Sequence, residues 1–81
     1  MVSESDSHSM AVYPNPTKGL VKIEAEDIHS ISIYNLLGEK LFESSVNGDA
    51  FEYDFVGLEK GLDLIKIETS KGFLTKTVTV M

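Results

Sequence analysis

Apolar and polar residues alternate with a period of two along most of this chain. In Leu20-Val21-Lys22-Ile23-Glu24-Ala25, Val21, Ile23 and Ala25 share one face while Lys22 and Glu24 share the other. Ile31 and Ile33 repeat the pattern with Ser32 and Tyr34 opposite them, and Phe51, Tyr53 and Phe55 form a third apolar row faced by Glu52 and Asp54. Alternation of this kind marks strands of an antiparallel sheet with one face buried and one in water.

Turn-forming residues divide these runs at short intervals. Pro14-Asn15-Pro16 and Lys18-Gly19 end a brief first strand, and Leu37-Gly38-Glu39 separates the Ile31 strand from Lys40-Leu41-Phe42-Glu43 as a hairpin. Asn47-Gly48-Asp49 reads as a tight turn, because Asn and Gly both tolerate positive φ. Gly57, Gly61 and Gly72 mark later turns, and Val56 to Lys60 is the best stretch for a short helical or 3₁₀ turn. The pattern predicts about seven short strands, near residues 11–13, 20–25, 30–35, 39–46, 50–55, 62–69 and 73–80. Strands spaced roughly 8–12 residues apart suggest a β-sandwich or barrel. The brief first strand and the last strand are the candidate sheet edges.

Residues 1–10 lack this periodicity. They are polar and serine-rich, and read as a disordered linker or an expression tag, leaving 11–81 as a single domain. An 81-residue chain buries only about 60% of the surface that its unfolded form exposes, so modest stability is expected. A hydrophobic content of 42% nevertheless suffices for a core.

The formal net charge is −6 and every base is a lysine, which argues against nucleic acid and against an anionic membrane surface. No apolar run approaches the ~20 residues needed to cross a bilayer, so direct membrane insertion is not expected. Cysteine is absent, which removes thiol chemistry, disulfides and cysteine-ligated metal.

Catalytic material is sparse. One of the two histidines, His8, falls in the polar leader, and His29 follows the acidic segment Glu26-Asp27-Ile28. A lone loop histidine leaves a serine triad without parts. Glu24, Glu26 and Asp27 could offer oxygen ligands to calcium, but their spacing is not that of an EF-hand loop, and a solvated turn explains them. The six glycines stand singly between strands, so no phosphate loop is present. No enzyme activity and no cofactor are expected. Of the tyrosines, Tyr53 shares the parity of the core row, whereas Tyr13 and Tyr34 are candidates for exposed aromatic contacts.

Four segments carry a resemblance to a known family. Val12-Tyr13-Pro14-Asn15-Pro16-Thr17-Lys18-Gly19, with the strand after it, is similar to the opening motif of the C-terminal sorting domain (type A) of type IX, or Por, secretion cargo. Residues 31–41, Ile-Ser-Ile-Tyr-Asn-Leu-Leu-Gly-Glu-Lys-Leu, resemble that family's second block, and residues 58–69 its third. Thr75-Lys76-Thr77-Val78-Thr79-Val80 resembles its closing strand. The blocks stand in the family's order and cover nearly all of 11–81.

The resemblance implies an immunoglobulin-like antiparallel sandwich that addresses cargo rather than transforming a substrate. In the family, such domains end secreted or surface proteins of Bacteroidetes-type bacteria. They are recognised by an outer-membrane secretion machinery protein and are commonly cleaved as the cargo is released or attached to surface lipopolysaccharide. The positions matching the motifs, and so the candidate recognition residues, are Tyr13, Pro14, Asn15, Pro16, Gly19, Asn35, Gly38, Gly61 and Lys76. Each has a fold-only reading beside the recognition one. The prolines force a turn, Asn15 is expected to bond its own backbone in an Asx-type turn, and Gly38 and Gly61 supply special backbone conformations.

Two positions depart from the family. Asp63 stands where an aromatic is usual, with the inward parity of Ile65 and Ile67; because it closely follows Gly61, it is expected near the exposed end of its strand. The chain closes on Val80-Met81 where members often carry a basic residue. The alternative function for such a domain is an accessory immunoglobulin-like module binding carbohydrate or a protein partner at the cell surface, with Tyr13 and Tyr34 as its contacts.

Overall fold

The computed structural model describes residues 9–57 and 59–81. Among them, five strands form one curled antiparallel sheet: β1 (Met10–Tyr13), β2 (Leu20–Asn35), β3 (Lys40–Asp54), β4 (Gly61–Thr69) and β5 (Gly72–Val80). The long β2 organises the sheet. Its first half lies between β1 and the second half of β3, and its second half lies between β4 and the first half of β3. β5 then pairs with β4.

The all-β expectation is met, with five strands in place of seven. Residues 20–25 and 30–35 belong to one strand, as do 39–46 and 50–55. Asn47-Gly48-Asp49, read as a tight turn, instead lies within β3, and the acidic segment 26–29 lies within β2. The reason is long-range pairing. Val21 and Ile23 face Tyr53 and Phe51 across the ladder, which keeps β3 running alongside β2 past Gly48. The break appears as a double irregularity. Asp27 adopts a φ of 56°, Ile28 pairs with Gly48, and the register slips on either side. The Asp27 amide donates to Asp49 Oδ1 at 2.8 Å, so both strands bend together.

The true reversal between β2 and β3 is at Leu36–Glu39, as the glycine signal indicated. The segment from Val56 to Lys60 contains a turn at Val56 and Gly57 and no helix among its described residues; Leu58 lies outside them. Met10, assigned above to the polar leader, opens β1 and is buried against the core, while residues 1–8, including His8, lie outside the described residues.

The inner face carries Val21, Ile23, Ile31, Ile33, Phe55, Ile65 and Ile67, fully buried in the parity expected from the alternation, together with Val78 and with Ile28, which the irregularity at Asp27 brings inward out of step with its neighbours. Truncating one of these isoleucines to alanine would cost about 2–5 kcal/mol. Along β3 the apolar row is only half covered. Phe42 lies 5.9 Å from Phe51 and 4.7 Å from Tyr53 between ring centroids, and Tyr53 meets Phe55 edge-on at 4.8 Å. Tyr53 therefore packs in the core margin, as its parity predicted. Among the described residues, no strand pairs with the outer edge of β3.

Candidate functional site

The bend in β2 and β3 brings both ends of β2 to one end of the molecule. The connection 14–19, the turn 36–39, the connection 55–60 and the last residues of β5 meet there, linked by contacts that alternation alone does not encode. Thr17 forms a parallel bridge with Val80. Its amide donates to Thr79 O at 2.8 Å, and the Met81 amide donates to Thr17 O at 2.8 Å. The Phe55 amide donates to Gly19 O at 2.9 Å.

Asn15 does not close on its own backbone. Its Nδ2 donates to Thr77 O at 3.1 Å and its Oδ1 accepts from the Thr79 amide at 2.9 Å. The side-chain amide thus imitates one step of a strand against β5, a role open to it because Pro14 and Pro16 beside it lack N–H donors. Tyr13-Pro14 and Asn15-Pro16 are both cis. Thr17, quoted in the motif but not singled out there, is the buried pivot. It is 2% exposed, its Oγ1 donates to Leu20 O at 2.7 Å, and the same oxygen accepts from the Gly19 amide at 3.0 Å. A Thr two residues before a turn glycine is the available signal, since its hydroxyl can cap that turn. Gly19 leaves room at this point: a Cβ there would sit 3.0 Å from Asp54 Oδ1, which accepts from the Val56 amide and would have to shift.

Around this clasp, Pro14, Pro16, Leu20, Val56 and Met81 line a shallow depression of about 580 Å³. Leu20, Val56 and Met81 are 54%, 72% and 54% exposed, so the depression presents apolar surface to solvent. Tyr13 stands on β1 with its ring half out. The Glu24 carboxylate beside its hydroxyl holds the phenolic proton and pushes its pKa up.

Asn35 anchors the β2–β3 turn. Its Oδ1 accepts from the Leu37 and Glu39 amides at 2.9 and 3.0 Å, and its Nδ2 donates to Glu39 Oε1 at 2.7 Å. Gly38, with φ of 89°, and Gly61, with φ of 133°, adopt backbone conformations that side chains disfavour. Eight of the nine motif residues thus gather at this end. Lys76 does not: it projects from mid-β5, and its Nζ donates to Met10 O at 3.2 Å, tying β5 to β1.

Asp63 corrects the expectation made for it. It is 6% exposed rather than at a frayed end, and its Oδ2 receives no hydrogen bond among the described residues. Burial pushes its carboxyl pKa up. The strand does not shift to release it, because Ile65 and Ile67 share its parity and are fully buried. Asp63 lines a groove of about 330 Å³ between the β2–β3 turn and the start of β4, walled by Leu36, Leu37, Leu41 and Leu62.

Several other charged groups are solvated and paired. Lys22 meets Glu24 at 3.6 Å, Lys71 meets Glu26 at 3.3 Å and His29 lies 3.7 Å from Asp27. Among the described residues, no group of three His, Asp or Glu side chains could hold a metal ion. Tyr34 is half-buried, with the Lys40 ammonium 5.9 Å over its ring.

Against protein families, a model of the secretion system C-terminal sorting domain matches residues 11–81. The chain belongs to that family. The match takes in both clusters at this end of the sorting domain, the clasp around Thr17 and the turn held by Asn35, as well as Lys76 on β5. It also identifies the domain with type IX secretion, as the four sequence blocks implied. Against individual curated proteins, the sorting domain has no match.

Proposed function

We propose that residues 11–81 are a non-catalytic address. Carried at the end of a cargo protein, the domain is recognised by a protein of the outer-membrane secretion machinery and directs the cargo across the outer membrane, to the cell surface or the medium. The observation that carries this reading is the family match along the whole of 11–81. The domain acts folded, as an immunoglobulin-like sandwich whose two layers are the halves of the bent β2 and β3 with their neighbours. It uses no cofactor, binds no nucleic acid and does not itself enter the membrane. The residues before Met10, where β1 opens, serve as a linker or are an expression tag.

The recognition face in this proposal is the end bearing Tyr13, Pro14, Asn15, Pro16, Gly19, Asn35, Gly38 and Gly61, with Lys76 supporting the fold from β5. The exposed Leu20, Val56 and Met81 favour this end, since contiguous apolar surface on a small domain marks a contact site.

The test is to fuse the chain to the C-terminus of a passenger in a host competent for type IX secretion. The passenger is expected outside the cell; a folded passenger retained in the periplasm would refute the sorting role. Replacing both Leu20 and Val56 by glutamate should lower export while leaving the melting temperature of the isolated domain within a few degrees. Undiminished export would move recognition to another face.

A further inference from the structure

The groove at Asp63 has a floor and walls that ask for different things. Its walls are leucine side chains largely in water: Leu36, Leu37 and Leu62 are 67%, 85% and 46% exposed. Its floor carries a carboxylate that is 94% buried and lacks a donor at Oδ2 among the described residues. The strand neighbours do not supply one. Across β2 stands Asn35, whose amide is committed to the Leu37 and Glu39 amides and to the Glu39 carboxylate. Across β5 stands Val78. Glu59 and Lys60 both line the groove with opposite formal charges, so Asp63 sets its net sign.

A carboxylate left so in an apolar setting is strongly unfavourable unless a cation pairs with it. Local rules of sequence and packing are broken in this way mainly where a site is being built. The complement to leucine walls over a carboxylate floor is a long side chain with an apolar stem and a cationic head. Guanidinium is the better head, since it is more weakly hydrated than ammonium and pairs with a carboxylate through two parallel bonds. The chain contains no arginine, so neither it nor a second copy of it provides one.

We infer that the Asp63 groove is a docking site for a partner polypeptide that inserts one arginine side chain, flanked by apolar residues, past Leu36 and Leu37 onto the Asp63 carboxylate. Leu36 and Leu37 at the groove are exposed side chains able to yield as the guanidinium enters. The site is distinct from the depression around Pro14 and Val56, and it does not rest on the secretion reading.

The experiment is a ¹H–¹⁵N NMR titration of the 81-residue chain with the blocked tripeptide acetyl-Leu-Arg-Leu-amide. Acetyl-Leu-norleucine-Leu-amide, which keeps an apolar stem and lacks the charge, is the comparison. Saturable shifts are expected at the amides of Asn35 to Leu37 and Gly61 to Asp63. Affinity should fall about tenfold or more for the norleucine peptide and for Asp63→Asn, because a charge-assisted hydrogen bond contributes about 1.5–3 kcal/mol. Equal binding of the two peptides, equal binding by Asp63→Asn, shifts confined to another face, or no saturation at millimolar peptide would each overturn the inference. Should Asp63→Asn fail to fold, the comparison of the two peptides on the unaltered chain decides.

Discussion

Thr17 and Asp63 sit at the same end of the sheet, one bonded to Thr79 of β5 and the other paired with Val78. They are almost equally inaccessible, at 2% and 6% exposure. Thr17 uses every polar group it has, with amide, carbonyl and hydroxyl all joined to backbone partners. Asp63 leaves Oδ2 unmatched among the described residues. The first burial holds the fold together and the second works against it. The contrast separates two kinds of buried polar residue in a small domain: one satisfied within the fold, the other left without a match among the described residues.

The sharpest way to break that contrast is Thr17→Val, which keeps the shape and deletes the hydroxyl. The Gly19 amide and Leu20 carbonyl lose a partner, so unfolding in urea should show a loss of about 3 kcal/mol. A change below about 0.5 kcal/mol would mean that water replaces the hydroxyl and that Thr17 is not the pivot. Asp63→Leu should move the other way. Replacing the unpaired carboxylate with a side chain like those in the walls should raise stability by about 2 kcal/mol in the same assay, while abolishing any binding of the arginine tripeptide. Loss of stability instead would show that Asp63 has a stabilising partner.

Asn15→Ala tests whether the exposed part of the clasp matters as the buried part does. It removes two hydrogen bonds to β5 in a solvated place, and a loss of about 1.5 kcal/mol is expected by thermal unfolding. The smallest effect is the pH dependence of Asp63. Its folded-state pKa lies above the ordinary 3.8, so the native state holds the proton more tightly than the unfolded chain does. The destabilisation is complete above the folded pKa and fades as pH falls through it, vanishing below 3.8. The stability gap between Asp63→Asn and the natural chain should therefore narrow from pH 7 towards pH 4, as followed by chemical denaturation. A gap that widened on acidification would reverse the sign argued for Asp63.

Much of this molecule was legible in its sequence. The period-two runs around Val21, Ile31 and Ile65 placed the buried faces correctly, because the side chains of a strand alternate whatever it pairs with. Gly38 and Gly61 marked genuine departures from ordinary backbone, since positive φ is a local demand that glycine meets. Asn47-Gly48 misled for the complementary reason. Its local tendency to reverse the chain was overruled by the pairing of Phe51 and Tyr53 with the far end of β2, a contact that turn propensity does not contain. Asn15 was recognised as a motif residue and given the wrong partner, because Thr77 and Thr79 lie more than sixty positions away.

Sequence by itself determined that this is an all-β chain, which residues face its core, where most turns fall and to which family it is similar, because all of these are written in local periodicity and in residues with special backbones. Only the tertiary structure decided that seven apparent strands are five, that Thr17 locks the motif loop to β5, and that Asp63 is buried without a match for Oδ2. Those outcomes depend on which distant segments meet once the sheet curls, and on whether a donor happens to stand opposite an inward carboxylate. Alternation can say that Asp63 points inward. What it points at is settled by Asn35 and Val78 across the ladder and by the groove that it lines with Leu36, Leu37 and Leu41.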